Sequence, residues 1–255
     1  MALRAHKLLI LGGTREARAL AQAVYEAHPD FATITSLAGV TAQPVALAGA
    51  VRIGGFGGRD GLATYIRDEA ITLVIDATHP FAQRITDNAV HACAQTGTPY
   101  LRLDRPQWAM PKDTDVVFVP DADEAARLVA RTSKAALLTI GRKDLAAFAG
   151  VAKVKLVARV IEKPDPDPFA AQPLSSVTYV IARPPFTVDE ERALLRAHGI
   201  DTLVTKASGG DATRAKLDAA AQVGVRLVIL RRPPPPDAER ALSVAEALAW
   251  LDAHA

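Results

Sequence analysis

The sequence lacks the residues on which several large classes of protein depend. Cys93 is its only cysteine, so the chain can form no internal disulfide and no cysteine-based zinc or iron–sulfur site. It has no apolar run near the roughly 18 residues of a membrane-spanning helix, and its basic start leads into a strand-like segment without the small-residue cleavage site of an export signal. These absences favour a cytoplasmic protein that neither spans nor crosses a membrane.

The net charge and the aromatic content are low as well. The formal net charge is +2 and aromatic residues make up 5% of the chain, so the basic surface and the stacking platforms of a nucleic-acid-binding protein are missing. The histidines show no H-x-x-x-H spacing, and we expect no metal site. The sequence also lacks a G-x-x-x-x-G-K-[ST] phosphate loop, a G-x-S-x-G nucleophile elbow and a Tyr-x-x-x-Lys pair.

What the sequence does contain is an alternation of short apolar runs with helix-like segments. Each run is nearly all apolar, as in parallel strands that are buried on both faces. The first run, Lys7–Leu11, leads through glycines into a helix predicted over Glu16–Glu26. This alternation predicts an α/β fold of two Rossmann-like, doubly wound parallel-sheet domains with an interdomain cleft.

Prolines and polar residues interrupt the alternation around position 110. We therefore predict an N-terminal domain over residues 1–110 and a C-terminal domain over residues 111–255. Pro80 is expected to start a helix, and another helix is expected over Lys143–Phe148. The proline run Pro233–Pro236 is expected to lead directly into the last helix of the C-terminal domain.

Glycine-rich and polar loops follow the strands predicted in the N-terminal domain. Ligands bind beyond the carboxyl ends of parallel strands, and glycines let main-chain amides approach a phosphate at the start of a helix, so these loops predict a nucleotide cofactor. The first of them is not the G-x-G-x-x-G fingerprint, and a plain chain reversal stays open there. The predicted cofactor-binding residues are Gly12, Gly13, Thr14, Arg15, Glu16, Ser36, Gly55, Phe56, Gly57, Thr78, His79, Pro80 and Phe81.

Two of these residues bear on the kind of cofactor and on the chemistry. Ser36 ends the second strand, where NAD-specific proteins usually carry a carboxylate. A serine does not repel a 2′-phosphate, which favours NADPH, although a polar strand end explains it nearly as well. His79 is the candidate catalytic residue because it can donate a proton, position a substrate or lie against the cofactor. A hydrogen-bonded loop histidine is the plain alternative, and the proton donor stays unassigned.

A similar loop follows a predicted strand of the C-terminal domain. There a lysine, a hydroxyl and paired glycines precede a helix, which suits an anionic ligand. Taken singly, Arg105 and Trp108 are better explained as a solvated surface charge and a core aromatic. The residues expected to close over substrate or cofactor are Lys206, Ser208, Gly209, Gly210, Arg105 and Trp108.

Five of these motifs, taken in order, resemble the precorrin-6A reductase family of cobalamin biosynthesis. The resemblance covers essentially the whole chain, and its specificity lies in the combination, because each motif alone is weak. The motifs are Leu9-Ile10-Leu11-Gly12-Gly13-Thr14-x-Glu16, Ser36-Leu37-Ala38-Gly39, Gly54-Gly55-Phe56-Gly57-Gly58, Asp76-Ala77-Thr78-His79-Pro80-Phe81-Ala82 and Thr205-Lys206-x-Ser208-Gly209-Gly210. Val40 departs from the pattern, since a basic residue is expected there in many relatives.

The resemblance implies that NADPH gives a hydride to a C=N-conjugated ring carbon of precorrin-6A, a tetrapyrrole, and that precorrin-6B forms. It implies no metal or flavin. It further implies that the N-terminal loops surround the cofactor and that the Lys206 segment closes over the cleft. The many carboxylates of such a substrate would suit basic groups on both domains.

Two other functions share these features and stay open. One is a two-domain nucleotide-sugar-type transferase, and the other is a non-catalytic NADPH sensor. The sequence also leaves open a homo-oligomer, transient contacts with neighbouring pathway enzymes, and whether the substrate contains cobalt.

Overall fold

A computed structural model describes residues 6–39, 47–171 and 177–254 of the chain. It divides the chain into two compact units, of which the first comprises Met1–Pro106 with Pro233–Ala255 and the second comprises Gln107–Arg232. Each unit is an α/β unit built on a six-stranded sheet whose paired strands are parallel. The predicted fold of two parallel-sheet α/β domains is therefore confirmed.

The sheet of the first unit has the strand order β12-β5-β4-β1-β2-β3. Its strands are β1 (Lys7–Leu11), β2 (Ala32–Leu37), β3 (Ala50–Ile53), β4 (Leu73–Asp76), β5 (Tyr100–Leu103) and β12 (Glu239–Ala241), and its helices are α1 (Arg15–Ala27), α2 (Gly58–Asp68), α3 (Gln83–Thr96) and α7 (Val244–His254). Leu8 and Ile10 pack into one core cluster with α1 and α7, while Leu9 and Leu11 pack into another with α2 and α3. Both faces of β1 are thus buried, which explains its unbroken apolar run.

The sheet of the second unit has the strand order β6-β11-β10-β7-β8-β9. Its strands are β6 (Val116–Val119), β7 (Ala135–Thr139), β8 (Lys155–Val160), β9 (Val177–Ile181), β10 (Thr202–Lys206) and β11 (Arg226–Leu230), and its α-helices are α4 (Ala122–Thr132), α5 (Val188–His198) and α6 (Ala215–Val223). Thr187 begins α5 with a reciprocal capping box to Glu190, as the Thr-x-x-Glu spacing indicates.

The last 23 residues belong to the first unit, although the sequence-based division assigned them to the C-terminal domain. β12 pairs with β5 through Arg240 and Arg102, and α7 packs on α1. The short strand was not predicted, because its three residues include two charged ones and show no apolar alternation. The chain therefore leaves the first unit after β5 and returns to complete its sheet.

Two helices begin or form differently from the sequence prediction. α3 begins at Gln83 rather than at Pro80, because the main chain first makes a turn in which Ala82 N donates to His79 O at 2.7 Å. The segment predicted as a helix over Lys143–Phe148 is a 3-10 turn of four residues, Leu145–Phe148. Val40 lies outside the described residues. Within the described ranges, no helix combines the length and apolar character of a membrane span.

Candidate active site

The first unit has its topological switch point between β1 and β4. The chain leaves β1 towards β2 on one side and β4 towards β5 on the other, so the loops that follow these strands part at the carboxyl edge of the sheet. Gly12 N donates to Ser36 O at 2.9 Å, and Ala77 N donates to Leu11 O at 2.9 Å, which fixes the start of both loops. The predicted residues after β1, β3 and β4 thus share this edge with Ser36.

The glycine turn after β1 presents open main chain at the start of α1. Gly13 has a φ of +99°, a conformation that favours glycine, and a Cβ added there would meet no atom within 4 Å. Thr14 caps the helix by accepting from Ala17 N at 3.0 Å and donates to Ala77 O at 2.7 Å. The hydroxyl of Thr14 therefore joins the two loops, and the turn leaves open space beside the main chain at Gly13, at the start of a helix, where anions can bind.

Glu16 and Arg105 form an ion pair within the first unit. Their side chains meet at 2.7 Å and are largely shielded from solvent. The pair links the first turn of α1 to the residues that follow β5. Arg105 was predicted to close over substrate or cofactor, and the structure shows that it also orders the edge of the first sheet.

Arg52, which the sequence analysis missed, lies beside Ser36. Its Nη1 is 3.4 Å from Ser36 Oγ and donates to Gly54 O at 2.6 Å, while Nη2 donates to Gly55 O at 2.7 Å. The guanidinium also stacks over Phe56, with Cζ 3.8 Å from the ring centroid. A partly exposed cation is thus held firmly at the tips of β2 and β3. The signal in the sequence was an arginine two residues before a glycine pair.

The loop after β3 combines several glycines with positive φ. Gly54, Gly57 and Gly58 have φ values of +119°, +80° and +93°, and Gly57 is the N-cap of α2. Phe56 turns inwards and meets Tyr65 edge to face, with 5.1 Å between ring centroids. The glycines leave the main chain of this loop accessible, while Phe56 anchors it to α2.

A buried ion pair organises the loop after β4. Asp76 is fully buried and lies 2.7 Å from Arg102 Nη1. Its carboxylate also accepts from Thr78 N and Oγ1, from Thr86 Oγ1 and from Tyr100 OH, at 2.6–3.2 Å. Burial and the Asp76 charge raise the pKa of Tyr100, so Tyr100 stays a neutral donor. Thr78, predicted as a cofactor-binding residue, uses its hydroxyl within this network.

His79 sits in the turn that this network holds in place. Phe81 N donates to His79 Nδ1 at 3.2 Å, so Nδ1 is an acceptor and the proton of the neutral ring resides on Nε2. The ring is partly exposed and lies 5.8 Å from that of Phe81. The main chain therefore orients the His79 ring through Nδ1.

The predicted closure residues of the second unit are tied into their own loop. Lys206 forms an ion pair with Asp144. Trp108 Nε1 donates to Gly210 O at 2.6 Å, and Arg232 donates to the main chain at Ser208 O at 2.9 Å. Gly209 and Gly210 have φ values of +68° and +71°. Trp108, Lys206, Ser208, Gly209 and Gly210 are thus brought together at the carboxyl edge of the second sheet.

A second buried charge cluster at this edge was not predicted. Arg159 donates to both carboxylate oxygens of Glu191, at 2.9 and 2.8 Å. Lys216, in the first turn of α6, is 5% exposed and interacts electrostatically with both. The available signal was Arg159 itself, a charged residue inside an otherwise apolar strand.

Neither unit contains a metal-binding group of the usual kind among the residues described. No cluster of three or more His, Cys, Asp or Glu side chains with suitable placement occurs in those ranges. Cys93 is buried, and burial raises the pKa of its thiol to about 12. The polar groups at the two carboxyl edges are hydroxyls, main-chain amides and paired charges.

Comparison with known proteins identifies the family. A family model described as precorrin-6x reductase CbiJ/CobK matches residues 7–252. The chain belongs to this family. The precorrin-6A reductase of Rhodococcus erythropolis is 45% identical over 246 residues, which cover 96% of this chain and 97% of the relative. The cobalt-precorrin-6A reductase of Priestia megaterium is 32% identical over 234 residues, which cover 89% and 90%.

A solved structure of CobK precorrin-6A reductase has the same fold. It is 36% identical, matches with a TM-score of 0.89, and the match covers 98% of this chain and 97% of the other. Membership in the precorrin-6x reductase family confirms the resemblance drawn from the motifs and makes the chain an oxidoreductase. The family implies a reductant, and the transferase and sensor alternatives are not favoured.

Proposed function

We propose that this chain reduces precorrin-6A to precorrin-6B in cobalamin biosynthesis with NADPH as the reductant. The observation that carries the proposal is the set of open glycine turns at the switch point of the first sheet, in a chain that belongs to the precorrin-6x reductase family. NADPH supplies a hydride, which goes to a ring carbon conjugated to a C=N bond. Such a transfer depends mainly on proximity and orientation, so no side chain need act as a nucleophile.

The residues of the first unit fit a dinucleotide. The open main chain at Gly13 and the amides at the start of α1 would hold the pyrophosphate, since no side chain blocks their approach. Gly55 and Gly57 would let the cofactor lie close to the second loop. The Asp76 network holds the turn of Thr78, His79, Pro80 and Phe81, and this turn would line the crevice from the side of β4.

Arg52 supports NADPH over NADH. A 2′-phosphate at the tip of β2 would meet the Ser36 hydroxyl and the guanidinium beside it, and the described tip carries no carboxylate in place of Ser36. The carbonyl oxygens of Gly54 and Gly55 and the ring of Phe56 hold the guanidinium in advance, which lowers the entropic cost of binding a phosphate. Arg52 on β3 would thus supply the positive charge that many relatives are expected to carry at the position of Val40.

The second unit would take the substrate. Lys206, Ser208, Gly209 and Gly210, with Trp108, form an ordered loop at its carboxyl edge, and Arg105 extends the basic groups in the first unit. Relatives of 37–45% identity are precorrin-6A reductases, whereas those of 29–32% are cobalt-precorrin-6A reductases. We therefore assign the metal-free macrocycle as the substrate. The buried free thiol of Cys93 fits the reducing cytoplasm that we propose as its compartment.

Two measurements test the proposal. Loss of NADPH absorbance on addition of precorrin-6A is the expected activity, and NADPH that binds without being oxidised would indicate the sensor instead.

The second measurement concerns the choice of cofactor. Arg52→Gln should raise the Kd of NADPH at least about tenfold and leave the Kd of NADH nearly unchanged, because only NADPH carries the 2′-phosphate. If the affinities for NADPH and NADH fell equally, Arg52 would serve only to hold the loop after β3 in place. Arg67→Gln, at an exposed arginine of α2, is the matched control.

A further inference from the structure

The second unit has a polar layer at its own switch point. β7 and β10 are neighbours, and the chain leaves them in opposite directions, towards β8 and towards β11. Thr139 on β7 is paired with Thr205 on β10. Leu138 on β7 is paired with Ala158 on β8, so the next residues along these two strands, Thr139 and Arg159, lie side by side. Three polar side chains therefore stand in one row across β8, β7 and β10, at the edge where parallel sheets bind ligands.

The row faces the layer of α5 and α6. The residues two positions before its members, Leu137, Val157 and Leu203, all belong to the core cluster that contains residues of these helices. Glu191 on α5 accepts hydrogen bonds from Arg159 of this row, and Lys216 on α6 interacts electrostatically with both. Charged and hydroxyl side chains of the strands and helices thus adjoin the apolar core cluster of the second unit.

The amine of Lys216 makes no hydrogen bond or ion pair with another described residue. Glu191 is engaged by Arg159 through both carboxylate oxygens, and the side chain of Arg159 also stacks on Phe186 at 4.1 Å. The Nζ atom of Lys216 lies 5.5 Å from the ring centroid of Trp108. On α6 itself, Arg214 and Asp218 pair with each other at 2.9 Å. The amine is therefore buried beside the cation of Arg159, and the anion that acts on it, Glu191, is already doubly hydrogen-bonded.

The physical consequence is an amine that changes protonation near neutrality. Burial and the charge of Arg159 lower the pKa of Lys216 to about 7, against the opposing effect of Glu191. In the part of the chain that the structure describes, two hydroxyls of this unit also lack a hydrogen-bond partner: Thr205 Oγ1, on a fully buried side chain of the polar row, and Thr213 Oγ1, just before α6. Unpaired buried polar groups are costly, and a bound ligand would satisfy them.

We propose that Lys216 donates the proton that accompanies hydride transfer to the macrocycle. This inference rests on the proposed function and deepens it. The hydride forms a C–H bond at one carbon of the conjugated system, which oxidises NADPH and adds two electrons to the ring. The Nζ–H bond breaks and its proton joins the conjugated partner atom. The neutral amine then regains a proton from water, so one NADPH and one proton are consumed in each turnover.

The first test is the dependence of turnover on pH. In the wild type, kcat/KM should fall about tenfold per pH unit above about 7, because the amine must be protonated to donate. In Lys216→Met the rate should drop about 100-fold or more, and this limb of the profile should vanish. A merely structural lysine would leave the profile in place.

Chemical rescue is the second test. Lys216→Ala should recover activity when methylammonium is added, since the small amine replaces the missing donor. The matched control is Lys155→Met, which alters an exposed lysine at the opposite edge of the same sheet, where Nζ donates to His198 O at 2.9 Å. The control should keep the wild-type rate and profile.

A readout without turnover separates the two proposals. NMR of protein labelled with 13C at lysine Cε should show one resonance that titrates near pH 7 and is missing in Lys216→Met. Oxidation of NADPH by the wild type with an unchanged profile in the variant would overturn the role of Lys216 alone. Titration near pH 7 without any NADPH oxidation would overturn the proposed function and, with it, the proton-donor role.

Discussion

The carboxyl edges of the two sheets are built from different groups. At the first edge the ligand would meet mainly glycine main chain, and the buried Asp76–Arg102 pair is fully hydrogen-bonded inside the protein. At the second edge the side chains carry the polarity, and Lys216 remains unpaired among the described residues. The comparison teaches that one fold can place open glycine main chain and a fully paired buried charge at one edge, and a buried lysine without an ion-pair partner among the described residues at the other.

The buried ion pairs differ in the same sense. Asp76 accepts from Arg102, Thr78, Thr86 and Tyr100, so every lone-pair direction of its carboxylate has a donor. Among the described residues, the carboxylate of Glu191 accepts hydrogen bonds from Arg159, whose side chain is 9% exposed. The first pair fixes the loop after β4. The second sets the electrostatic surroundings of a lysine.

The largest expected effect comes from breaking the first pair. Asp76→Asn leaves the Arg102 charge buried without its counter-ion and should destabilise the first unit by about 3–5 kcal/mol. Glu191→Gln is the same chemical change in the second unit, where Arg159 is the carboxylate's hydrogen-bond donor among the described residues, and should cost about 2–3 kcal/mol because fewer hydrogen bonds are lost.

The two tryptophans allow the units to be followed separately. Trp250 lies in the first unit and Trp108 in the second, so urea unfolding of single-tryptophan variants reports each unit by its own fluorescence. Two results would contradict the comparison. One is an equal decrease in the free energy of unfolding for Asp76→Asn and Glu191→Gln, and the other is a decrease in Asp76→Asn that only the fluorescence of Trp108 reports.

The next effect concerns the phosphate cradle. Gly13→Asp places a carboxylate against the cofactor phosphates and should raise the Kd of NADPH about 100-fold or more. Gly13→Ala imposes the same φ of +99° and fits the same open space without a charge, so its Kd should rise less than about tenfold. Isothermal titration measures both. Similar losses for the two variants would show that backbone strain, rather than charge, limits binding.

The smallest effect concerns stability and the protonation of Lys216. The folded lysine loses its proton above pH about 7, whereas a lysine of the unfolded chain keeps its proton to a pH of about 10.4. The unfolded state then binds more protons, so the free energy of unfolding should rise with pH, by at most about 1.4 kcal/mol per unit. Comparison of wild type with Lys216→Met by urea unfolding between pH 7 and 8.5 isolates this effect. Parallel curves would mean that Lys216 stays protonated.

The features found from the sequence are those that depend on neighbouring residues. The apolar run Lys7–Leu11 and the glycines that follow it specify a buried strand and an open turn, and both lie where predicted. The capping box at Thr187 is equally local. These patterns, with the order of the motifs, were enough for the fold class and the family.

The features missed from the sequence depend on partners that are distant along the chain. Arg102 meets Asp76 from 26 residues away, and Arg159 meets Glu191 from 32 residues away. Arg52 acquires its place beside Ser36 only because β2 and β3 pair in one particular register. The sequence signals at Arg52, before a glycine pair, and at Arg159, within a mostly apolar strand, do not reveal which residue each arginine contacts.

The sequence by itself determined the alternation of strands and helices, the glycine turns and the family, because apolar periodicity and glycine conformation act within a few residues. Only the tertiary structure decided that β12 returns to the first sheet and that Lys216 is buried beside Arg159. Strand pairing and desolvation depend on which segments pack together, and the folded chain alone sets those neighbours.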